Sequence, residues 1–76
     1  MKIILTGYSA ELFNASELNI DEKITVVSEL KSYLISRESE LSNHHTVIAI
    51  NSMLSKDSDA LKLNDDILVF HPYSGG

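Results

Sequence analysis

Apolar positions in this chain run together near both ends and switch to a helical spacing in the middle. Lys2-Ile3-Ile4-Leu5 is rich in Ile and Leu and reads as a strand with at least one buried face. Gly7 and the polar residues around Ser9 and Glu11 close it, and Leu12 to Ser16 reads as a loop leading into a second, shorter strand near Glu17 to Ile20. Asp21-Glu22-Lys23 then breaks the apolar pattern. From Thr25 the period changes: Val27, Leu30, Leu34 and Leu41 stand at i, i+3, i+7 and i+14, along one helical face. This predicts one amphipathic helix from about Val26 to Leu41, with the Thr25 hydroxyl as N-cap and Ser42-Asn43-His44-His45 as its stop.

Thr46-Val47-Ile48-Ala49-Ile50 is β-branched and predicts a sheet strand. Asn51-Ser52 reads as a turn into a short strand at Met53-Leu54-Ser55, and Lys56 to Asp59 as polar loop. Leu61 to Asp66 holds another turn, with Asn64 able to take the left-handed conformation. Ile67-Leu68-Val69-Phe70 is the last strand, and His71 to Gly76 hangs off it as a tail. A mixed sheet gripping one helix accounts for these pieces, an α+β arrangement. The expected core packs Val27, Leu30 and Leu34 on Ile3, Leu5, Ile48, Ile50 and Val69.

Seventy-six residues, 43% of them hydrophobic, fit one globular domain near the lower size limit for a single core. With no cysteine, disulfides, thiolate metal sites and a cysteine nucleophile are excluded. The formal charge is −5, and the six basic residues are scattered, which is a poor footprint for nucleic acid. The N-terminal apolar run is too short for a signal peptide or a membrane span, so a cytoplasmic location with no membrane partner is expected.

Few side chains suggest chemistry. His44-His45 is expected to be a solvent-exposed pair ending the helix rather than a metal site, because adjacent side chains diverge and no ligand cluster lies at the right spacing. Asp57, Asp59, Asp65 and Asp66 lack the alternation of a calcium loop and read as solvated turn carboxylates. His71 could touch a partner or steer the terminus, but is expected to face solvent beside the strand end. Phe13 and Phe70 are expected to pack in the core, while Tyr73 has little domain to pack against and is equally a partner contact. Ser9, Ser74 and the histidines form no recognisable nucleophile–base pattern.

The tail is different. Two of the three glycines are Gly75 and Gly76. At an average usage of about 7%, chance puts such a pair at a terminus in roughly 0.5% of chains, so the pair is read as chemistry. A carboxylate that must reach into a narrow site, be adenylated and then be attacked needs an unhindered approach. Glycine, without a Cβ, provides it, and the proline ahead of the pair stops the strand.

These residues resemble the ubiquitin-like sulfur carriers, above all the small subunit of molybdopterin synthase, with a relation to the thiamine-biosynthesis sulfur carrier. That family ends in a strand followed by Phe-x-Pro-x-x-Gly-Gly, and this chain has Phe70-His71-Pro72-Tyr73-Ser74-Gly75-Gly76. Ile48-Ala49-Ile50-Asn51 resembles the family's apolar strand closing on asparagine. Leu61 to Ile67 resembles its Leu-x-Asp-Gly-Asp-Glu-Val turn, with Asn64 in the glycine's place. Lys2 to Leu5 with Glu11-Leu12, and the helix start near Val26 to Leu30, fit the same layout. The chain departs from the pattern at His71, where the family's Pro-Pro becomes His-Pro, at Tyr73, and at Thr6, where the first strand often carries an aromatic residue.

The resemblance implies a β-grasp fold, with residues 1–71 as the domain and 72–76 as a flexible C-terminal tail. It implies a non-catalytic, sulfur-donating subunit. A ubiquitin-activating-like enzyme, using ATP and Mg, would adenylate the Gly76 carboxylate; a sulfur donor would convert it to a thiocarboxylate. The large subunit of molybdopterin synthase would then receive the tail for molybdenum cofactor biosynthesis. Gly76 carries the reactive group, Gly75 gives access, and Phe70, Pro72, Tyr73 and Ser74 are the expected partner contacts, with no cofactor bound by this chain. Docking is expected on the open sheet face near the last strand, with acidic residues at its rim. The alternatives are a carrier for thiazole, tungsten-cofactor or tRNA thiolation, and an interaction module that is never thiocarboxylated.

Overall fold

Strand periodicity decides which residues turn inward, and the rest of the fold follows from covering them. The computed structural model describes residues 1–21 and 23–72. Its elements are β1 (Lys2–Leu5), α1 (Gly7–Phe13), β2 (Glu17–Asn19), α2 (Val27–Arg37), a 3-10 turn (Ser39–Asn43), β3 (Val47–Ile50), β4 (Met53–Leu54) and β5 (Ile67–Phe70). The five strands form one sheet in the order β2-β1-β5-β3-β4. β1 and β5 run parallel at its centre, and the other neighbours pair antiparallel. A mixed sheet with α2 across one face is the β-grasp arrangement.

Alternate residues of the central strands, Ile3, Leu5, Ile48, Ile67 and Val69, are buried against Val27, Leu30, Leu34 and Leu41. Ile50 is half-buried and packs on the same cluster, as does Phe13. The expected core is therefore found, with Ile50 at its edge, and is extended by Ile20, Ile24, Leu41, Leu61 and Ile67.

Three local expectations are corrected. The stretch after Gly7 is not loop but α1, seven residues long and too short to display a period. Gly7 does not merely end β1: it takes φ +55 at the start of this helix, in the left-handed region that glycine occupies without strain. Asn14 closes the helix at φ 52, its N–H reaching the Ala10 and Glu11 carbonyls. Second, α2 stops at Arg37, where Glu38 turns extended. Leu41 is still buried, because the 3-10 turn brings it back over the core.

Third, Thr25 is not the N-cap. Val26 holds that position and makes no side-chain cap. The free N–H groups of Val27 and Ser28 instead donate to the carbonyls of Asp59 and Asp57, at 3.0 Å each. A loop remote in sequence thus caps the helix. Thr25 is itself held from the third helical position, its N–H donating to Glu29 Oε1 at 3.0 Å. That hydrogen bond, foremost, holds the Glu29 carboxyl below its usual range. A lowered folded pKa contributes stability above the ordinary carboxylate pKa and loses it as pH falls through the folded value. Glu29→Gln should therefore be less stable than wild type at neutral pH, with the gap closing as pH falls below the ordinary carboxylate range. Urea melts of both proteins across that range check this.

The expected turn forms at Lys62–Asp65, without using the left-handed option at Asn64. The left-handed non-glycine residues described are Asn14, Asn51 and Ser52; Asn64 is not among them. An Asp65 N–H bond to the Lys62 carbonyl, and the Lys62 N–H bond back to Asp65 Oδ2, close the turn without a positive φ. The strain sits instead in the β3–β4 hairpin, where Asn51 and Ser52 at φ 51 and 71 make the two-residue turn whose twist matches its strands. Asn51 ties the two turns together, accepting from the Asp66 N–H and donating to Asp65 Oδ1.

Candidate functional site

β5 occupies the middle of the sheet and ends at Phe70, so whatever follows leaves from the centre of the molecule rather than from an edge. Phe70 pairs with Val47 and is half-buried on the sheet face opposite α2. It is a surface-facing aromatic more than a core residue, so the core expectation holds only in part. Pro72 is exposed. Tyr73, Ser74, Gly75 and Gly76 lie outside the described residues.

The outward positions of the strands line up. Register places Ile4 beside Leu68, Leu68 beside Ala49, and Ala49 beside Leu54, a continuous apolar row across β1, β5, β3 and β4. Phe70 and Val47 make the next row, toward the tail. Ile4 is 38% and Leu54 71% exposed, while Leu68 between them is half-buried and Ala49 is buried, so among the described residues the row is open toward its two ends. Lys2, Ser52 and Asp66 rim a shallow depression over Ile4, Ala49 and Leu68. A contiguous apolar surface with a polar rim is the form of a docking site. Helix α2 covers the other face, so the open face next to the tail root is where the sequence reading expected it.

His71 is not where it was expected. It is buried, with Nδ1 3.1 Å from the His45 carbonyl oxygen. A solvent-facing side chain was predicted because the strand pattern ends at Phe70. The alternation in fact carries one residue further, and His71 turns inward like Ile67 and Val69. Around it gather Tyr8 from α1 and His44 from the segment after the 3-10 turn. The Tyr8 ring lies 4.0 Å from His44 and meets His71 edge-on at 5.8 Å. The Tyr8 hydroxyl donates to Glu40 at 3.0 Å, and that bond above all raises its pKa above the ordinary phenol value. Nothing in the sequence pattern marks this cluster, since its members come from three distant segments.

His44 and His45 are exposed, as expected. No group of three or more metal-binding side chains exists among the described residues. None of the described helices is long and apolar enough to cross a membrane.

Comparison with known proteins decides the family. The ThiS family model matches residues 3–76, nearly the whole chain and through its Gly-Gly end. The chain belongs to the ThiS family of ubiquitin-like sulfur carriers. No curated protein matches the sequence. Among solved structures, this family member is similar to SAMP1 from Haloferax volcanii, with 19% identity and a TM-score of 0.77 over 99% of this chain and 97% of that one. It is similar also to a protein assigned as molybdopterin converting factor, subunit 1, from Pyrococcus furiosus, with 21% identity and a TM-score of 0.81 over 93% and 94%. At these identities the likeness establishes the β-grasp fold.

Proposed function

We propose that this ThiS-family carrier serves as the small subunit of a molybdopterin synthase, holding sulfur as a thiocarboxylate on Gly76. The observation that carries the reading is the family match running through Gly75-Gly76. The Phe70-x-Pro72 spacing ahead of the pair favours the molybdopterin branch over thiazole or tRNA thiolation. A ubiquitin-activating-like enzyme adenylates the Gly76 carboxylate with ATP and Mg, releasing pyrophosphate. Sulfur delivered at the sulfide level then attacks the acyl-adenylate, AMP leaves with the former carboxylate oxygen, and the carbonyl carbon of Gly76 keeps the sulfur as a thiocarboxylate. The chain contributes no acid, base or metal ligand to these steps. It presents a sterically bare carbonyl at the end of a short tether, and a docking face that holds the tether's root in place. The sheet row from Ile4 through Leu68 to Leu54 is the surface on which the activating enzyme and the large subunit alternate, in the cytoplasm.

The test is ATP–pyrophosphate exchange with the adenylating enzyme of the same host. Wild-type chain should support exchange. Leu68→Asp, which places a charge in the middle of the apolar row, should raise KM at least about tenfold with kcat little changed, the size of a central interface residue. A wild-type chain that stimulates no exchange would overturn the reading in favour of an interaction module.

A further inference from the structure

His71 is buried although the next residue, Pro72, is exposed. A carbonyl oxygen only accepts, so Nδ1 donates to His45, and in the neutral ring the lone pair falls to Nε2. Nε2 is buried with no hydrogen-bond partner among the described residues. An unpaired buried acceptor costs stability, whereas an aliphatic side chain of similar size would fill the same space without that cost. Stability therefore does not account for a histidine here. What the ring does achieve is attachment: its Nδ1 is tied to the backbone before β3, and its faces and edges meet Tyr8 and His44. Tyr8 is tied in turn to Glu40.

We propose that His71 is a positioning residue, a latch that fixes the backbone at the end of β5, so that the segment leading to Gly76 departs from a fixed point at Pro72. The inference rests on the reading of Gly76 as the activated carboxylate. With the ring held, covalent geometry does the rest: a residue before proline is confined to extended backbone, and the proline ring locks the next φ. The tether is then four residues, 73–76, reaching about 13–14 Å when extended. Without the latch the backbone of residue 71 is freed as well, and its torsions must be frozen each time the carboxylate enters a partner's nucleotide site. Freezing one residue's backbone corresponds to roughly 5–30-fold in the equilibrium for a correctly placed end. Because the body still docks through its sheet face, the loss falls on kcat rather than on KM.

The experiment compares wild type, His71→Leu and His71→Asn in ATP–pyrophosphate exchange with the host's adenylating enzyme, each rate normalised to the folded fraction. His71→Leu fills the slot but cannot donate; the Asn amide nitrogen can stand where Nδ1 stood. The latch predicts a kcat lower by about 5–30-fold for His71→Leu, an unchanged KM, and recovery of most of the rate by His71→Asn. Backbone amide order parameters give a readout that needs no enzyme: residue 71 should be rigid in wild type, at about 0.85, and fall toward about 0.6 in His71→Leu. Wild-type kcat in His71→Leu, equal rates for the Leu and Asn variants, or a mobile residue 71 in wild type would each overturn the latch. If the wild-type chain is not adenylated at all, the proposed function fails, and the latch is judged on the order parameters alone.

Discussion

Deleting Gly76, or appending one residue after it, will abolish sulfur loading and leave the melting temperature unchanged. The two halves of this result have separate causes. Loading requires the terminal carbon to lie within bonding reach of ATP and then of the sulfur donor. One residue moves it by about 3.3–3.6 Å, enough to destroy a near-attack geometry. Stability is expected to be indifferent, because among the described residues the buried side chains lie between Ile3 and His71. Replacing Gly75 by a bulky residue will lower the rate less completely, by crowding the approach and restricting the backbone. Mass spectrometry of adenylate and thiocarboxylate after incubation with activating enzyme, ATP and a sulfur source, paired with thermal melts, checks both halves. Loading of the extended variant without trimming back to Gly76 would contradict the mechanism.

Leu30→Ala will remove roughly 2–5 kcal/mol of stability, the cost of emptying a fully buried leucine site. Leu30 has no exposed surface and faces the sheet from the middle of α2. A domain of this length has about 4–11 kcal/mol in total, so the loss is a large fraction of it and the variant should melt well below wild type. Ile35, on the same helix but 37% exposed, is the internal control. Its truncation to alanine should cost about 1 kcal/mol or less. Chemical denaturation of the two variants side by side checks the contrast; equal losses would mean that helix α2 is not seated as described.

The sheet and its core were legible because their signals are periodic. Val27, Leu30 and Leu34 repeat at helical spacing. Ile48 and Val69 sit in β-branched or continuously apolar runs, and all five are buried. What escaped is what periodicity does not encode. α1 spans too few residues to show a repeat, and its left-handed ends at Gly7 and Asn14 look like ordinary turn residues in the sequence. The N-terminus of α2 is capped by carbonyls of Asp57 and Asp59, an arrangement only the tertiary fold creates. Thr25, the local candidate, was therefore passed over.

The candidate site divides in the same way. Phe70, Pro72 and the Gly-Gly end are read directly from sequence, and the open face follows once α2 is assigned to the other side. His71 was misread because burial at a strand's last position depends on Tyr8 and His44, which the chain brings in from elsewhere. The residues beyond Pro72 lie outside the described residues, so the roles given to them belong to the proposed function.

The most direct test of the carrier account is the intact mass of this chain purified from its own host under conditions that spare thioacids. The account predicts a population heavier by the difference between one sulfur and one oxygen atom, with the increment confined to the C-terminal peptide ending in Gly76. Finding only the unmodified carboxylate, in cells whose sulfur-transfer pathway is active, would contradict it.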